Sequence, residues 1–571
     1  MNKNYANLTT PHYDEVDKNA PWQDYPRPSM VRDSYLSLNG EWDLSIGDIK
    51  TKVLVPFPPE STLSGAWCDV PIGADLIYER GFILSDDMTS GRVILHLGAI
   101  DNEARVWVNG IFIGDHIGGY LPFSFDVTDA IREGENDIKI TVRDDLSRLY
   151  PYGKQTKSRG GMWYTPVSGI WQSVWMECVP EEYIISYSAI PSAEEVTIRV
   201  EGGCGEFNLR LDSGEEYTFG KDGISFTPNE IRLWTPETPE LYRFTLTSGK
   251  DSVRGYFAMR SVGIAEFNGQ KRLTLNGKPY LFNGLLDQGY YPDGIFLPPT
   301  PDGYREDILL AKKLGFNMLR KHIKVEPEIF YYLADTLGIA VFQDMVNNSD
   351  YSFILDTALP TIGLKRMPDS LRHKNPESRR IFTEHSLATV ERLKSFPSVV
   401  YYTVFNEGWG QFNADKMYRL IKDADPTRIV DATSGWFIRH DSDVDSHHVY
   451  FKPIKLKSGA KRPVAISEFG GYSYRVPRHL FGQDNYGYTV CKSEDEFRQR
   501  FEQLYRGEVL RSLSKGVSAL VYTQISDVED ETNGLITYDR KHEKLDTGST
   551  KALMDELYSE FSRLTESDVG R

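Results

Sequence analysis

Apolar residues follow two different spacings along this chain, and the change between them divides it. Up to about residue 266, short runs such as 137–142 alternate apolar and polar side chains, and turn residues such as Asn109-Gly110 separate the runs. That spacing predicts antiparallel strands whose alternate side chains face a core. From about residue 267, continuous apolar runs alternate with segments of helical spacing. This second pattern predicts buried parallel strands separated by helices.

The first part of the chain is predicted to form two β-sandwiches. Residues 1–180 contain many short strands with frequent turns, a pattern typical of a jelly roll. Residues 181–266 have the length and strand pattern of an immunoglobulin-like sandwich. The first sandwich could give structural support only, or it could bind carbohydrate, and the pattern leaves both open. The second shows no catalytic constellation, which favours a spacer.

The third part, residues 267–571, is predicted to form a (β/α)₈ TIM barrel. Helices are predicted over 301–314, 327–337 and 377–395, the first two stopped by Gly315 and Gly338. Eight strands alternating with helices over ~300 residues are what such a barrel requires. The predicted strands cover 279–283, 316–320, 339–344, the run ending at Glu407, 428–433, 444–450, 464–468 and 517–524.

Two glutamates stand at the ends of predicted barrel strands. Glu407 ends the fourth strand and Glu468 the seventh, each with glycine within two residues. Because barrel enzymes carry their catalytic groups at this end of the strands, the two carboxylates are predicted to share one site. Such a pair indicates glycoside hydrolysis, in which one carboxyl is a protonated acid and the other an ionised nucleophile or base. A retaining mechanism needs a separation of ~5–5.5 Å and an inverting one ~6.5–9.5 Å, and the sequence gives no distance.

Composition and charge limit the classes of binding partner that the sequence predicts. The 571 residues include 65 basic and 82 acidic ones, and the net charge of −17 opposes binding to nucleic acid or to anionic membranes. There is no run of about 20 apolar residues, so no membrane span is predicted. No signal peptide is visible, so a cytoplasmic location is predicted, although a chain trimmed of its signal peptide would look the same. The four cysteines lack metal-ligand spacing and are expected to be reduced thiols: Cys68, Cys178, Cys204 and Cys491.

Several motifs give nearly the whole chain a resemblance to glycoside hydrolase family 2, which contains the β-galactosidases, β-glucuronidases and β-mannosidases. The order of jelly roll, immunoglobulin-like domain and barrel is also that of the family. The resemblance implies no organic cofactor. No acidic cluster here demands a metal ion, and homo-oligomers are common in the family. The motifs lie at residues 38–42, 104–110, 168–175, 233–242, 405–407 and 467–470.

The resemblance implies a retaining exo-acting β-glycosidase and gives roles to particular residues. Glu407 matches the acid/base, Glu468 the nucleophile, and Asn406 the asparagine that contacts the 2-hydroxyl of the sugar. Arg320 matches an arginine whose cation would help to keep Glu468 ionised. Tyr450 either donates a hydrogen bond to the nucleophile or packs at the barrel rim. Further candidates for substrate contacts, two of them aromatic sugar platforms, are Asp287, Lys321, His322, Asp344, Trp409, Trp436 and Gln524.

The same motifs do not identify the sugar. Three segments depart from the family pattern: 283–290 and 321–324 at the ends of predicted strands one and two, and 522–524, which ends predicted strand eight. The Asn-x-Lys-Gly motif that holds a uronate in β-glucuronidases is not found, although Lys321 and Lys324 could supply a positive charge. We therefore expect a terminal β-galactoside first, with a β-glucuronide, another β-uronide or a β-mannoside as the alternative. A catalytically inactive carbohydrate-binding protein is the alternative from another class.

Overall fold

The computed structural model describes residues 8–361, 369, 373–435, 437, 440–457 and 460–566. This part of the chain forms two antiparallel β-sandwiches followed by a parallel barrel, as the change of spacing near residue 267 predicts. Among these residues, no helix has both the length and the apolar content to cross a membrane. The exact domain boundaries after residues 180 and 266 stay a prediction.

The first sandwich consists of a six-stranded and a four-stranded sheet that share one core. Strands such as Gly40–Ile46 alternate buried and less buried side chains, because every second side chain faces the opposite sheet. At the predicted turn, Asn109 and Gly110 both have positive φ, and Val108 pairs with Ile111. In sheet order the strands are Ile49–Val55, Gly40–Ile46, Asp75–Leu84, Gly134–Arg143, Glu103–Val108 and Ile111–Ile117, and then Phe123–Asp126, Arg92–Leu97, Val174–Val179 and Leu36–Ser37.

The second sandwich contains a five-stranded and a three-stranded sheet around a core rich in phenylalanine. One edge strand, Met30–Val31, comes from the chain ahead of the first sandwich, and Met30 pairs with Gly255. The pattern of residues 181–266 gives no sign of this strand, because the pairing joins segments over 200 residues apart. In sheet order the strands are Met30–Val31, Asp251–Phe257, Tyr242–Ser248, Glu206–Leu211 and Glu216–Gly220, and then Ile184–Pro191, Val196–Gly202 and Ile224–Phe226.

The barrel contains eight parallel strands within the described residues, in the order that the sequence predicts. Its two edge strands, the fifth and the sixth, are joined through Asp443: the Asp443 N–H donates to the Val430 carbonyl (3.0 Å), and the Val430 N–H donates to Asp443 Oδ2 (2.9 Å). A small sheet, Val262–Phe267, Gln270–Leu275 and Lys278–Pro279, contributes Leu273 and Leu275 to the apolar barrel interior. The barrel strands are Phe282–Asp287, Met318–Lys321, Ala340–Asp344, Val399–Asn406, Ile429–Ser434, Asp445–Val449, Val464–Gly470 and Val517–Thr523.

The three predicted barrel helices begin and end within two residues of their predicted positions. Glu328–Leu337 follows a proline and ends at Gly338, whose φ of 76° is left-handed. A Cβ at Gly338 would come within 2.4 Å of the Pro236 carbonyl oxygen, so the close approach of the second sandwich also requires glycine. The α-helices are Asp302–Lys313, Glu328–Leu337, Leu359–Thr361, Pro376–Leu393, Ala414–Ala424, Glu494–Leu504, Leu510–Ser512 and Thr547–Thr565.

One long connection of the first sandwich, residues 144–168, reaches the carboxyl-terminal face of the barrel. The Tyr152 hydroxyl donates to the Ser349 carbonyl (2.7 Å), and the Tyr164 hydroxyl donates to Glu531. The Thr165 N–H donates to Glu529 Oε1 (2.8 Å). This segment, here called the sandwich connection, therefore contributes side chains to the barrel face on which both glutamates lie.

Candidate active site

Glu407 directly follows the fourth barrel strand in a left-handed turn. Its φ is 53°, a conformation that costs a residue with a side chain about 1–2 kcal/mol. Gly408 has φ 68°, and a Cβ there would come within 2.3 Å of the Phe437 ring. The turn leaves the Glu407 carboxylate in a pocket at the end of the barrel, with 15% of its side chain exposed. Such local strain is typical of functional positions.

Glu468 lies inside the seventh strand, next to an irregularity in its pairing. Ile466 pairs with Leu520 and Phe469 with Tyr522, so the seventh strand holds one residue more than the eighth at this point. An extra residue of this kind bends a strand and changes the direction of its side chains. Glu468 is 4% exposed and lines the same pocket as Glu407.

The two carboxylates and one histidine form a compact group. A ligand atom of Glu407, one of Glu468 and one of His448 all lie within 4.8 Å of one another. His448 Nδ1 is 2.9 Å from Glu407 Oε1 and 3.3 Å from Glu468 Oε2. The first of these is a hydrogen-bond distance. The short separation of the carboxylates is the spacing of a retaining rather than an inverting glycosidase.

Arg320, from the second barrel strand, connects Glu468 with the residue before Glu407. Its Nη1 donates to Glu468 Oε1 (3.1 Å) and to the Ser467 carbonyl (2.8 Å), and its Nη2 donates to Asn406 Oδ1 (2.8 Å). Asn406 Oδ1 also accepts from the Ser434 hydroxyl (2.8 Å). Its oxygen is held by two donors, and within the described residues its amide N–H groups have no partner, so they can donate to a ligand in the pocket that Asn406 lines.

The surroundings of Glu468 favour its ionised form. Burial by itself would raise the pKa of this carboxyl, but His448, Arg320 and a hydrogen bond from Tyr450 outweigh burial and lower the pKa. The Tyr450 hydroxyl donates to Glu468 Oε2 (2.5 Å) and is 2.9 Å from Thr523 Oγ1. Its ring also stacks on Tyr488, with centroids 3.5 Å apart, so the two roles considered for Tyr450 occur together.

Asp344 and His322 support Arg320 from the side away from the glutamates. Asp344 Oδ1 accepts from Arg320 Nε (2.9 Å), and Asp344 Oδ2 lies 2.8 Å from His322 Nδ1. Burial opposes ionisation of Asp344, but Arg320 and His322 lower its pKa to about 2. Burial lowers the pKa of His322 to about 4. At neutral pH His322, which lines the pocket, is therefore an uncharged imidazole beside the Asp344–Arg320 pair.

The remaining candidates separate into three groups. Trp409 lines the pocket and packs edge-on against Trp163 and Tyr351, whereas Trp436 lies outside the described residues. Asp287, Lys321 and Gln524, expected to contact the substrate, are not among the residues that line the pocket. Lys321 Nζ donates to Asp287 Oδ2 (2.7 Å) and to Glu326 Oε1 (2.8 Å), and Gln524 Nε2 donates to Asn533 Oδ1 (2.7 Å).

The structure also brings in residues that sequence reasoning missed. His448 lies two positions before Tyr450, so the period-two rule for strands could have placed both on one face. Nothing in the local pattern marks Lys154, which reaches the pocket from the sandwich connection. The other pocket residues missed in the same way are Met162, Leu286, Gln288, Tyr351, Tyr488, Thr523 and Glu531.

Comparison with known proteins gives matches to one family. The model of the sugar-binding domain of glycosyl hydrolases family 2 matches residues 40–180, and the model of the TIM barrel domain of the same family matches residues 268–457. The chain is 25% identical to a β-galactosidase of Lactococcus lactis over 450 residues (72% of this chain, 41% of that protein). It is 24% identical to a β-galactosidase of Priestia megaterium over 498 residues (78% and 45%). The chain thus spans less than half the length of these relatives.

Solved structures share the whole architecture at low sequence identity. A β-D-glucuronidase of Dictyoglomus thermophilum superposes with a TM-score of 0.72 at 18% identity, covering 93% of this chain and 98% of that one. A β-galacturonidase of Eisenbergiella tayi bound to galacturonate gives a TM-score of 0.68 at 19% identity, covering 92% and 98%. At this identity the likeness establishes the common fold and leaves the substrate open.

Proposed function

Since this chain belongs to glycoside hydrolase family 2, we propose that it is an exo-acting β-glycosidase that removes a terminal β-linked sugar with retention of configuration. The observation that carries the proposal is the spacing of the two carboxylates. One oxygen of Glu407 lies within 4.8 Å of one oxygen of Glu468, and of the two carboxylates it is Glu468 that accepts from Arg320 and Tyr450. That separation leaves room for a sugar carbon between the carboxylates but not for an additional attacking water.

In the proposed first step, Glu468 attacks the anomeric carbon and the bond to the leaving oxygen breaks. Glu407 gives its proton to that oxygen, so the leaving group departs as a neutral alcohol. The assignment follows from the contacts, because a cation and a hydroxyl donor stabilise Glu468 as an anion. Glu407 contacts neither of these groups and is left to exchange a proton.

In the second step, Glu407 removes a proton from water while the water oxygen attacks the anomeric carbon from the opposite face. The bond to Glu468 breaks, and the two inversions give net retention. The amide of Asn406 would donate to the 2-hydroxyl of the sugar, a contact that can strengthen as positive charge develops on the ring. No organic cofactor takes part in these steps.

Two glycones compete for this site. A β-galactoside is supported by the names of the curated relatives, whose aligned segments are about a quarter identical to this chain. A β-uronide is supported by a buried lysine in the pocket, Lys154. A carbohydrate-binding protein without activity would not require a nucleophile held ionised by Arg320 and Tyr450.

The test is a panel of 4-nitrophenyl α- and β-glycosides assayed with the wild type, Glu468→Ala and Glu560→Ala. We expect release from a β-glycoside only, a loss of at least ~10³-fold in Glu468→Ala, and no loss in Glu560→Ala, which alters a residue of the last helix. Azide should restore part of the activity of Glu468→Ala and give an α-glycosyl azide, because it attacks from the face that the carboxylate occupied. If Glu468→Ala is as active as the wild type, the proposal fails.

A further inference from the structure

Lys154 differs from the other buried lysines of the described residues. Lys321, Lys324 and Lys544 are at most 2% exposed, and each donates to a carboxylate at 2.7 to 2.9 Å. Lys154 is 9% exposed, but no hydrogen bond or ion pair of its ammonium group occurs within the described part of the chain. Its nearest ring contact is Tyr164, whose centroid is 5.8 Å from Nζ.

The carboxylate with the strongest electrostatic influence on Lys154 is already bound to other groups. Glu531 Oε2 accepts from the Tyr164 hydroxyl, and Glu531 Oε1 accepts from Asn533 Nδ2 (2.9 Å). Burial raises the pKa of Glu531, although Lys154 opposes this effect. Burial also lowers the pKa of Lys154, although Glu531, Glu468 and Glu407 oppose this effect.

A buried ammonium group without a partner is costly, so proteins normally pair it or leave it in water. Here the sandwich connection, which is bonded to the barrel through Tyr152, Tyr164 and Thr165, holds the lysine at a pocket instead. Both glutamates and His322 line that pocket together with Lys154. The missing partner is therefore expected to arrive with the ligand, and its chemistry must be anionic.

We propose that Lys154 binds the carboxylate of a terminal β-linked uronic acid, so that the substrates of this site are β-uronides rather than neutral β-glycosides. The inference rests on the proposed function of the same site. A uronic acid differs from the corresponding neutral hexose only in a carboxylate that replaces the terminal hydroxymethyl group. The carboxylate would accept a charge-assisted hydrogen bond from Lys154, whereas a hydroxymethyl group would leave the charge of the ammonium group without a counter-ion.

The buried position of Lys154 points to the terminal sugar and not to the leaving group. In an exo-acting enzyme the terminal sugar fills the closed end of the pocket, and the leaving group extends toward solvent. Lys154 is nine-tenths buried, and its charge also acts on His322 and Glu468.

The test compares two matched pairs of 4-nitrophenyl substrates: β-D-glucuronide with β-D-glucoside, and β-D-galacturonide with β-D-galactoside. For the wild type we expect kcat/KM for at least one uronide to exceed that for its neutral partner. In Lys154→Met this ratio should fall by about 10²-fold, the equivalent of one hydrogen bond to a charged group. Lys154→Arg keeps the charge and should retain part of the preference. Lys157→Met alters a lysine of the same connection that pairs with Asp69, and it should leave the ratio unchanged.

The possible outcomes separate this proposal from the proposed function. Hydrolysis of the neutral glycosides without the uronides would overturn the role of Lys154 and leave the retaining glycosidase intact. If the ratio of kcat/KM for the uronide to kcat/KM for its neutral partner is the same in Lys154→Met and the wild type, the role of Lys154 is also overturned. A lysine that only balances the charge of the nearby glutamates would affect both substrates equally. If the protein hydrolyses no β-glycoside, both the proposed role of Lys154 and the proposed function are wrong. If Lys154→Met does not fold, inhibition of the wild type by free uronic acids is compared with inhibition by the neutral sugars, and equal inhibition overturns the proposal.

Discussion

Removing the hydroxyl of Tyr450 should make the nucleophile easier to protonate. The Tyr450→Phe substitution deletes the donor to Glu468 Oε2 (2.5 Å) and keeps the ring that stacks on Tyr488. A hydrogen bond to a charged group is worth about 1.5–3 kcal/mol, and one pKa unit corresponds to about 1.36 kcal/mol. The pKa of Glu468 should therefore rise by about 1–2 units in the variant.

The sign of the effect on activity follows from the required ionisation state. Glu468 reacts as an anion, and its pKa is lowered in the wild type, so activity persists as the pH falls until that pKa is reached. A higher pKa in Tyr450→Phe means that activity is lost at a higher pH. The acid limb of the kcat/KM profile should move to higher pH by about 1–2 units. The loss of kcat/KM near neutral pH should be smaller than the loss on the acid limb.

The assay is the pH dependence of kcat/KM for whichever 4-nitrophenyl glycoside the enzyme hydrolyses, measured for three proteins. Thr523→Val is the matched control, because it removes the other partner of the same hydroxyl (2.9 Å) and spares the bond to Glu468. Its acid limb should stay at the wild-type position. An acid limb that does not move in Tyr450→Phe would refute the idea that this hydroxyl stabilises the ionised nucleophile.

Two further predictions concern stability. Buried Glu326 accepts from Lys321 and Lys324, so Glu326→Gln removes the carboxylate partner of Lys324 and leaves Lys321 with Asp287 alone. The free energy of unfolding in urea should fall by about 3–5 kcal/mol; a loss as small as that in a surface variant such as Glu377→Gln would contradict this. Burial raises the pKa of Asp335 from 3.8 to about 7. The protonated side chain therefore adds to the free energy of unfolding in full below about pH 4, and this contribution is lost as the pH rises to about 7. The side chain in Asp335→Asn stays neutral, so the free energy of unfolding of the variant minus that of the wild type should increase by about 1.4 kcal/mol per pH unit across that range. If the free energies of unfolding of the two proteins change in parallel with pH, this prediction is wrong.

The candidate site shows where sequence reasoning reaches its limit. The places of Glu407 and Glu468 follow from strand ends in a barrel, since topology brings the carboxyl ends of all parallel strands to one face. The substrate contacts expected for Asp287 and Lys321 do not follow in the same way. A polar residue at a strand end can face the pocket or a neighbouring side chain, and only packing decides between them. In this barrel Lys321 donates to Asp287 and also to Glu326.

The sequence by itself determined the two sandwiches, the order of the eight barrel strands and the presence of two glutamates at their ends. These features depend on local periodicity and on chain order, both of which can be read without coordinates. Only the tertiary structure decided the short distance between the carboxylates, the position of His448 between them and the arrival of Lys154 from another part of the fold. These last features depend on contacts between segments far apart in the chain. Lys154 is separated from Glu468 by more than 300 residues, and its irregular connection has no period from which its direction could be inferred.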